Sequence, residues 1–322
     1  MKKNIIYLLL IIFSTFLNAN EKVVLQLKWF HQFQFAGYYA AKEKGFYDEV
    51  GLDVEIKQRD LKYNNIDEVI NGNAQYGVAD SILILYRLKQ QPVVIVSPIF
   101  QHSPSVFISL KKKNISSIYE LNNKDILFYP NDTDGFSLLA MIKKFDLDVN
   151  LIRERYKDDY MRLINNEVDA MPAYIANEPF LLKEKGYDVN IINPNNYGFD
   201  IYGDMLFTNE DEAKNYPIRV EKFKKATLKG WKYALENKEE IIQLISEKYS
   251  KEKSIEHLRY EANAIDSLIN KNLTPLGYLD EGRIRYISEM YEYYGLTESK
   301  IDLNDFLFDE ISKKDKKLSL SD

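Results

Sequence analysis

The chain has 322 residues, 45% of them hydrophobic and 29% charged, the balance of a water-soluble globular protein large enough for one sizeable domain or two lobes. A formal charge of −6 gives a nucleic-acid partner no electrostatic footing. The absence of cysteine excludes disulfides, thiolate metal sites, a cysteine nucleophile and the lipid-modified cysteine of a lipoprotein.

Lys2 and Lys3 precede an apolar run over residues 5–17, broken only by Ser14 and Thr15, and Ala19 follows as a small residue. Basic, apolar, small is the order of a secretory signal peptide, so residues 1–19 are expected to be cleaved near Ala19 and the mature protein to work in the periplasm. The run is too short to span a bilayer comfortably, which argues against a retained membrane anchor.

"VVLQLKW" (23–29) alternates with period two and predicts a strand. "QFAGYYAAKEKGFY" (34–47) predicts a helix ending at Gly45, and Gly51 stops a further short turn before the strand "LDVEI". "NNIDEVINGNAQYGVAD" (64–80) predicts a helix capped by Asn65, a stop at Gly72 and a short strand. "SILILYRLKQ" is a helix and "PVVIVSPIF" a buried strand. Strand and helix alternate at the spacing of parallel βαβ units.

The pattern is interrupted around residues 101–109, and a second α/β set follows with "SVFISL", "DILFYP", "GFSLLAMIKKF" and "YDVNIINP". After "GFDIYGDMLF" the alternation stops, and residues 218–295 carry helical periodicity. Two interrupted sets predict two lobes and two chain crossings: residues 20–105 plus 201–322 in one lobe, 106–200 in the other, with a ligand between them.

"FAGYYAAKEKGFYDEVGLDVEI", "VINGNAQYGVADS", "VVIVSPIFQHSP", "AYIANEPF", "YGDMLFTNE" and "FKKATLKGWKYALEN" resemble the superfamily of periplasmic solute-binding proteins that take sulfonates and thiamine-pyrimidine precursors. The resemblance runs over most of the mature chain. It implies a type II periplasmic-binding-protein fold, two α/β lobes each built on a mainly parallel sheet flanked by helices, and a non-enzymatic monomer that hands its solute to an ABC permease. "KWFHQFQFAGYYAA" and "YGDMLF" are also similar to sensor regions fused to membrane histidine kinases and diguanylate cyclases, which keeps a signalling partner as the alternative. In those fusions a membrane helix follows the counterpart of "FLFDE"; here a Lys-rich tail follows it, which predicts a free-standing module.

Strand ends and the loops after them line the crevice of open α/β sheets. Flat side chains there, Trp29 first and Tyr38 after it, can sandwich a flat ring by offset stacking. Gln32, Gln34 and His31 can hydrogen-bond ring nitrogens, and Gly37 leaves room for a ligand near the backbone. The opposing reading is that half of these aromatics are core: Phe33 or Phe35, and one of Tyr38 and Tyr39.

Asp80 and Ser81 close a strand and cap a helix, where they can also meet a ligand; Gln101 stands beside the first crossing. Tyr174, Asn177 and Glu178 precede a helix of the second lobe, where a carboxylate suits an exocyclic amine, and Tyr202 and Asp204 lie at the second crossing. The loop at residues 130–136 opens a helix, but Asp132 and Asp134 repel an anion there, which disfavours phosphate, sulfonate and nitrate. His102 is a weak ligand candidate near the hinge, and His257 is expected on a solvated helix face. Three scattered histidines and no cysteine predict no metal site, and no cofactor is expected.

The function expected from these features is capture of a small flat heterocycle, an aminopyrimidine of the thiamine-precursor kind. A pyrimidine synthase on the same fold needs cysteine-rich chemistry that this sequence lacks.

Overall fold

The computed structural model describes residues 20–128, 136–152, 159–298 and 300–309. The expected signal peptide, Asp132, Asp134 and the basic tail lie outside them.

Ten strands are present among the described residues: β1 (Glu21–Gln26), β2 (Leu52–Lys57), β3 (Tyr76–Ala79), β4 (Val93–Pro98), β5 (Ser105–Leu110), β6 (Asp125–Leu127), β7 (Asn150–Ile152), β8 (Met171–Tyr174), β9 (Val189–Ile192) and β10 (Met205–Asn209). The helices are α1 (Ala36–Glu43), α2 (Asn65–Ile70), α3 (Ile82–Leu88), α4 (Phe136–Lys144), α5 (Tyr160–Ile164), α6 (Glu178–Glu184), α7 (Glu210–Asn215), α8 (Pro217–Glu236), α9 (Lys238–Lys248), α10 (Ile255–Ile269) and α11 (Glu281–Tyr293).

The first sheet has the order β2-β1-β3-β10-β4. β1 is parallel to β2 and β3, whereas β10 is antiparallel to both of its neighbours. In the second lobe β5 is antiparallel to β8 and β9, β6 pairs in parallel with β7, and a parallel bridge from Ile126 to Ala170 joins those two groups. Each lobe is thus a mainly parallel α/β layer with one reversed strand, and the reversed strand is the one the chain enters after crossing. Every residue of β3, β4, β5 and β10 is buried, as both faces are covered by helices.

The two crossings run side by side. The amides of Ile99 and Phe100 donate to the Asp204 carbonyl at 2.8 and 3.0 Å, and Gly203 donates back to Phe100 at 3.1 Å. His102 Nδ1 lies 2.6 Å from Asp200 Oδ1 beside them.

Gly45 and Gly51 take positive φ where the sequence predicts helix and turn stops. The cap of α2 is Asn64 rather than the expected Asn65: Asn64 Oδ1 accepts from the Ile66 amide, while the Asn65 side chain donates to the Val78 carbonyl. The helical C-terminal third packs α8 along α1 with almost no spacing. A Cβ on Gly230 would sit 2.2 Å from the Gly37 carbonyl oxygen. The chain returns at Leu307, which pairs with Ile95 and covers the β4 edge.

Candidate functional site

Three strand ends bring their polar residues to one place. β1 and β3 lie side by side in parallel, and antiparallel β10 lies next to β3. Lys28 follows β1, Asp80 follows β3 and Asp204 precedes β10, so all three emerge at the same rim of the sheet. Lys28 Nζ is 3.3 Å from Asp204 Oδ1 and 3.6 Å from Asp80 Oδ2, with all three residues buried. A buried ammonium between two carboxylates is tolerable because each charge has an opposite partner.

The second lobe reaches into this cluster. Tyr174, the last residue of β8, donates its hydroxyl to Asp204 Oδ1 at 2.7 Å and accepts from Lys28 Nζ at 3.0 Å. Gln34 Nε2, from the aromatic loop, donates to Asp204 Oδ2 at 2.7 Å and lies 3.3 Å from the Tyr174 hydroxyl. Gln32 donates in turn to Gln34 Oε1. Of the residues expected to meet ligand, Gln32, Gln34, Asp80, Tyr174 and Asp204 are therefore in one group held by hydrogen bonds and ion pairs. Lys28 completes it.

The aromatic loop divides more sharply than expected. Phe33, Phe35, Tyr38 and Tyr39 are all buried in the core of the first lobe. Trp29 is half-buried and meets Phe30 edge to face at 5.3 Å, with Phe30 38% exposed; these two are the flat side chains left at the surface of the loop. The Tyr38 ring meets Trp231 at 5.9 Å, and its hydroxyl is buried with no hydrogen-bond partner among the described residues. The space at Gly37 is occupied by Trp231, whose ring would lie 2.1 Å from an added Cβ, so this glycine serves the α1–α8 crossing. His31 Nδ1 is 2.9 Å from the Tyr39 hydroxyl, and burial lowers its pKa.

A second polar group ties α6, α10 and the aromatic loop together. Glu178 accepts from the Tyr174 amide and from Asn177 Nδ2, both at 2.7 Å. Asn177 Oδ1 accepts from Lys253 at 2.6 Å, and Lys253 also pairs with Glu261, whose other oxygen accepts from the Phe33 amide at 2.8 Å. Burial pushes the Glu178 and Glu261 carboxyls above the usual range. His257 is not on a solvated face as expected. It is buried, stacked on Phe180 at 4.7 Å, and its pKa is pushed down to about 3 by burial, with the Lys253 ammonium adding to the shift.

Ser81, Gln101 and Tyr202 are engaged elsewhere. Ser81 Oγ donates to the Tyr202 carbonyl at 2.7 Å, the Tyr202 hydroxyl accepts from the Asp280 amide at 3.0 Å, and Gln101 donates to the Tyr278 carbonyl at 3.0 Å. These contacts fasten the crossings to the C-terminal helices. Asp80 does cap α3 as expected, its Oδ1 accepting from the Ile82 amide at 2.9 Å, while its other oxygen faces Lys28.

Lys28, Lys253 and Glu261 were not singled out from the sequence. A lysine just beyond a strand reads as a surface charge until the neighbouring strand ends are known to be acidic. Lys253 reaches Asn177, and Glu261 reaches Lys253 and the Phe33 amide, only through the tertiary packing of α10.

Two α/β lobes, two adjacent crossings and a polar cluster shared by both lobes define a two-lobed periplasmic-binding-protein fold. The alkanesulfonate-binding protein SsuA from Xanthomonas axonopodis pv. citri, solved with MOPS bound, has the same fold, with a TM-score of 0.70 at 11% identity over 90% of this chain and 99% of that one. The chain belongs to the NMT1/THI5-like family, whose sequence profile matches residues 32–241. It is 25% identical to the riboflavin-binding protein RibY of Chloroflexus aurantiacus over 70% of this chain and 65% of that protein. It is also 25% identical to the formylaminopyrimidine-binding protein of Halalkalibacterium halodurans, over 70% of each. The match to RibY thus spans slightly less than two thirds of that relative's length. Among the described residues, no helix is long and apolar enough to cross a membrane and no group of three or more His, Asp or Glu side chains is arranged to hold a metal ion.

Proposed function

We propose that this protein is an extracytoplasmic solute-binding protein that closes its two lobes on a flat, amine-bearing nitrogen heterocycle of the aminopyrimidine class. It then delivers that solute to an ABC permease. The observation that carries the reading is the group Lys28, Asp80, Asp204 and Tyr174, in which a hydroxyl from one lobe completes a charge cluster on the other. Ligands of two-lobed proteins lie at such a boundary.

Charge supports an amine over an anion. Around the lobe boundary the described residues supply the carboxylates Asp80, Asp204, Glu178 and Glu261 against the ammonium groups Lys28 and Lys253. Stacking supports a flat ring, through Trp29 and Phe30. The ligands for which the two relatives are named, a flavin and a formylaminopyrimidine, are both flat nitrogen heterocycles. The lobes are residues 20–105 with 201–322, and 106–200, and the paired crossings are the hinge. The mature protein is a periplasmic monomer, and its task is capture and release without chemistry on the solute.

Mass spectrometry of small molecules released on denaturing the purified protein tests the reading. A nitrogen heterocycle of aminopyrimidine type is the expected result. A co-purified sulfonate or inorganic anion would contradict it.

A further inference from the structure

The Asp204 carboxylate sets the direction of two buried amides. An ionised carboxylate only accepts hydrogen bonds, so the Gln34 side chain, 2.7 Å from Asp204 Oδ2, presents its NH2 group there. That choice turns Gln34 Oε1 toward Gln32, and Gln32 answers with its own NH2 group. The relay ends at Gln32 Oε1, which is buried and has no hydrogen-bond partner among the described residues, on a residue only 4% exposed. Buried acceptors in folded proteins are paired in the great majority of cases, and leaving one unpaired is costly. Asp204 is itself held by Lys28 and Tyr174, and both of its oxygens only accept, so turning the carboxylate cannot reverse the relay.

We propose that Gln32 Oε1 accepts an N–H of the bound solute, which makes Gln32 the residue that selects an amine-bearing ligand. Asp204 is the positioning residue that fixes this polarity through Gln34. The inference rests on the solute-binding reading above and adds to it which atom reads the amine. A ligand that carries only an acceptor at this position would face Gln32 Oε1 with a second lone pair and would be rejected.

Calorimetry with two probes tests it: 4-amino-5-hydroxymethyl-2-methylpyrimidine, and its counterpart with a methoxy group in place of the exocyclic amine. The wild type should prefer the amino probe by about tenfold or more. Gln32→Met should bring the two affinities to within about twofold, chiefly by weakening the amino probe. Asp204→Asn allows both amides to reverse and should improve binding of the methoxy probe, a gain that mere structural damage cannot produce. If Gln32→Met keeps the wild-type preference, a water or another residue satisfies Gln32 and the inference is overturned, with the solute reading intact. If the wild type binds neither probe, both fall. Should thermal melting show that Gln32→Met does not fold, Asp204→Asn decides alone. An unchanged preference, or no binding of either probe by that variant, then overturns the inference.

Discussion

The Tyr174 hydroxyl crosses from the second lobe to the first and donates to Asp204 Oδ1 at 2.7 Å. It also lies 3.0 Å from Lys28 Nζ, so one hydroxyl touches both a buried anion and the cation that neutralises it. The contact between the lobes and the polar site therefore share atoms. Tyr174→Phe keeps the ring but removes a hydrogen bond to a charged group, which is worth about 1.5–3 kcal/mol. Affinity for an aminopyrimidine should fall roughly tenfold or more by calorimetry. Small-angle scattering should show less compaction at equal ligand concentration. An unchanged affinity would mean that the contact is incidental to closure.

Lys28→Met leaves Asp80 and Asp204 facing each other at the sheet rim without the ammonium between them. Removing one member of a buried charge group typically costs about 3–5 kcal/mol. Guanidinium denaturation should show a loss of that order. A loss below about 1 kcal/mol would place Lys28 among exposed ion pairs, contrary to its burial.

Gly37→Ala tests the helix crossing. An added Cβ would lie 2.1 Å from the Trp231 ring, a distance no side chain can keep, so α1 and α8 must move apart. Overpacking of this kind costs about 1–3 kcal/mol or more. The expected outcome is a lower denaturation midpoint with an unchanged slope. Wild-type stability would show that the crossing has slack, and would return Gly37 to the list of ligand-facing positions.

His257 gives a pH dependence of known sign. Its imidazole is pushed down to about 3 by burial beside Lys253, whereas an unfolded histidine titrates near 6.5. Between those values the unfolded chain holds the extra proton, so this group's contribution is present above about pH 6.5 and is lost as pH falls toward 3, by up to about 1.4 kcal/mol per pH unit. Glu178 and Glu261 act in the opposite sense. Their raised carboxyls take up protons first in the folded state, so acidification through that window favours folding. His257→Gln removes the histidine contribution and leaves both carboxyl groups in place. The wild type should therefore lose more stability than the variant between about pH 7 and about pH 5, read by denaturation at each pH. Parallel losses would contradict a neutral, buried His257.

The alternation of strand and helix, the stops at Gly45 and Gly51 and the two crossings were legible because each depends on neighbours in sequence. Residues whose partners come from distant segments were not. Gly37 reads as open space next to an aromatic loop until α8 supplies Trp231. His257 sits among charged residues on α10, and the Phe180 ring stacked on it at 4.7 Å comes from a distant segment. Asp80 and Asp204 were visible as polar residues at strand ends. Lys28 was not, because its role follows from β1 lying beside β3 and β3 beside β10, an order that local periodicity does not specify. The aromatic run shows the same limit: composition marks it as unusual, but which rings pack inward depends on the helices that cover it.

Competition calorimetry on the purified protein tests the central claim most directly, with 4-amino-5-hydroxymethyl-2-methylpyrimidine and ethanesulfonate as ligands, on the wild type and on Trp29→Ala. Saturable binding of the aminopyrimidine, no displacement by the sulfonate and a loss in Trp29→Ala of about tenfold or more are predicted, since stacking and the apolar area of an indole together contribute a few kcal/mol. Tight binding of the sulfonate with none of the aminopyrimidine would contradict the account, whatever the fold.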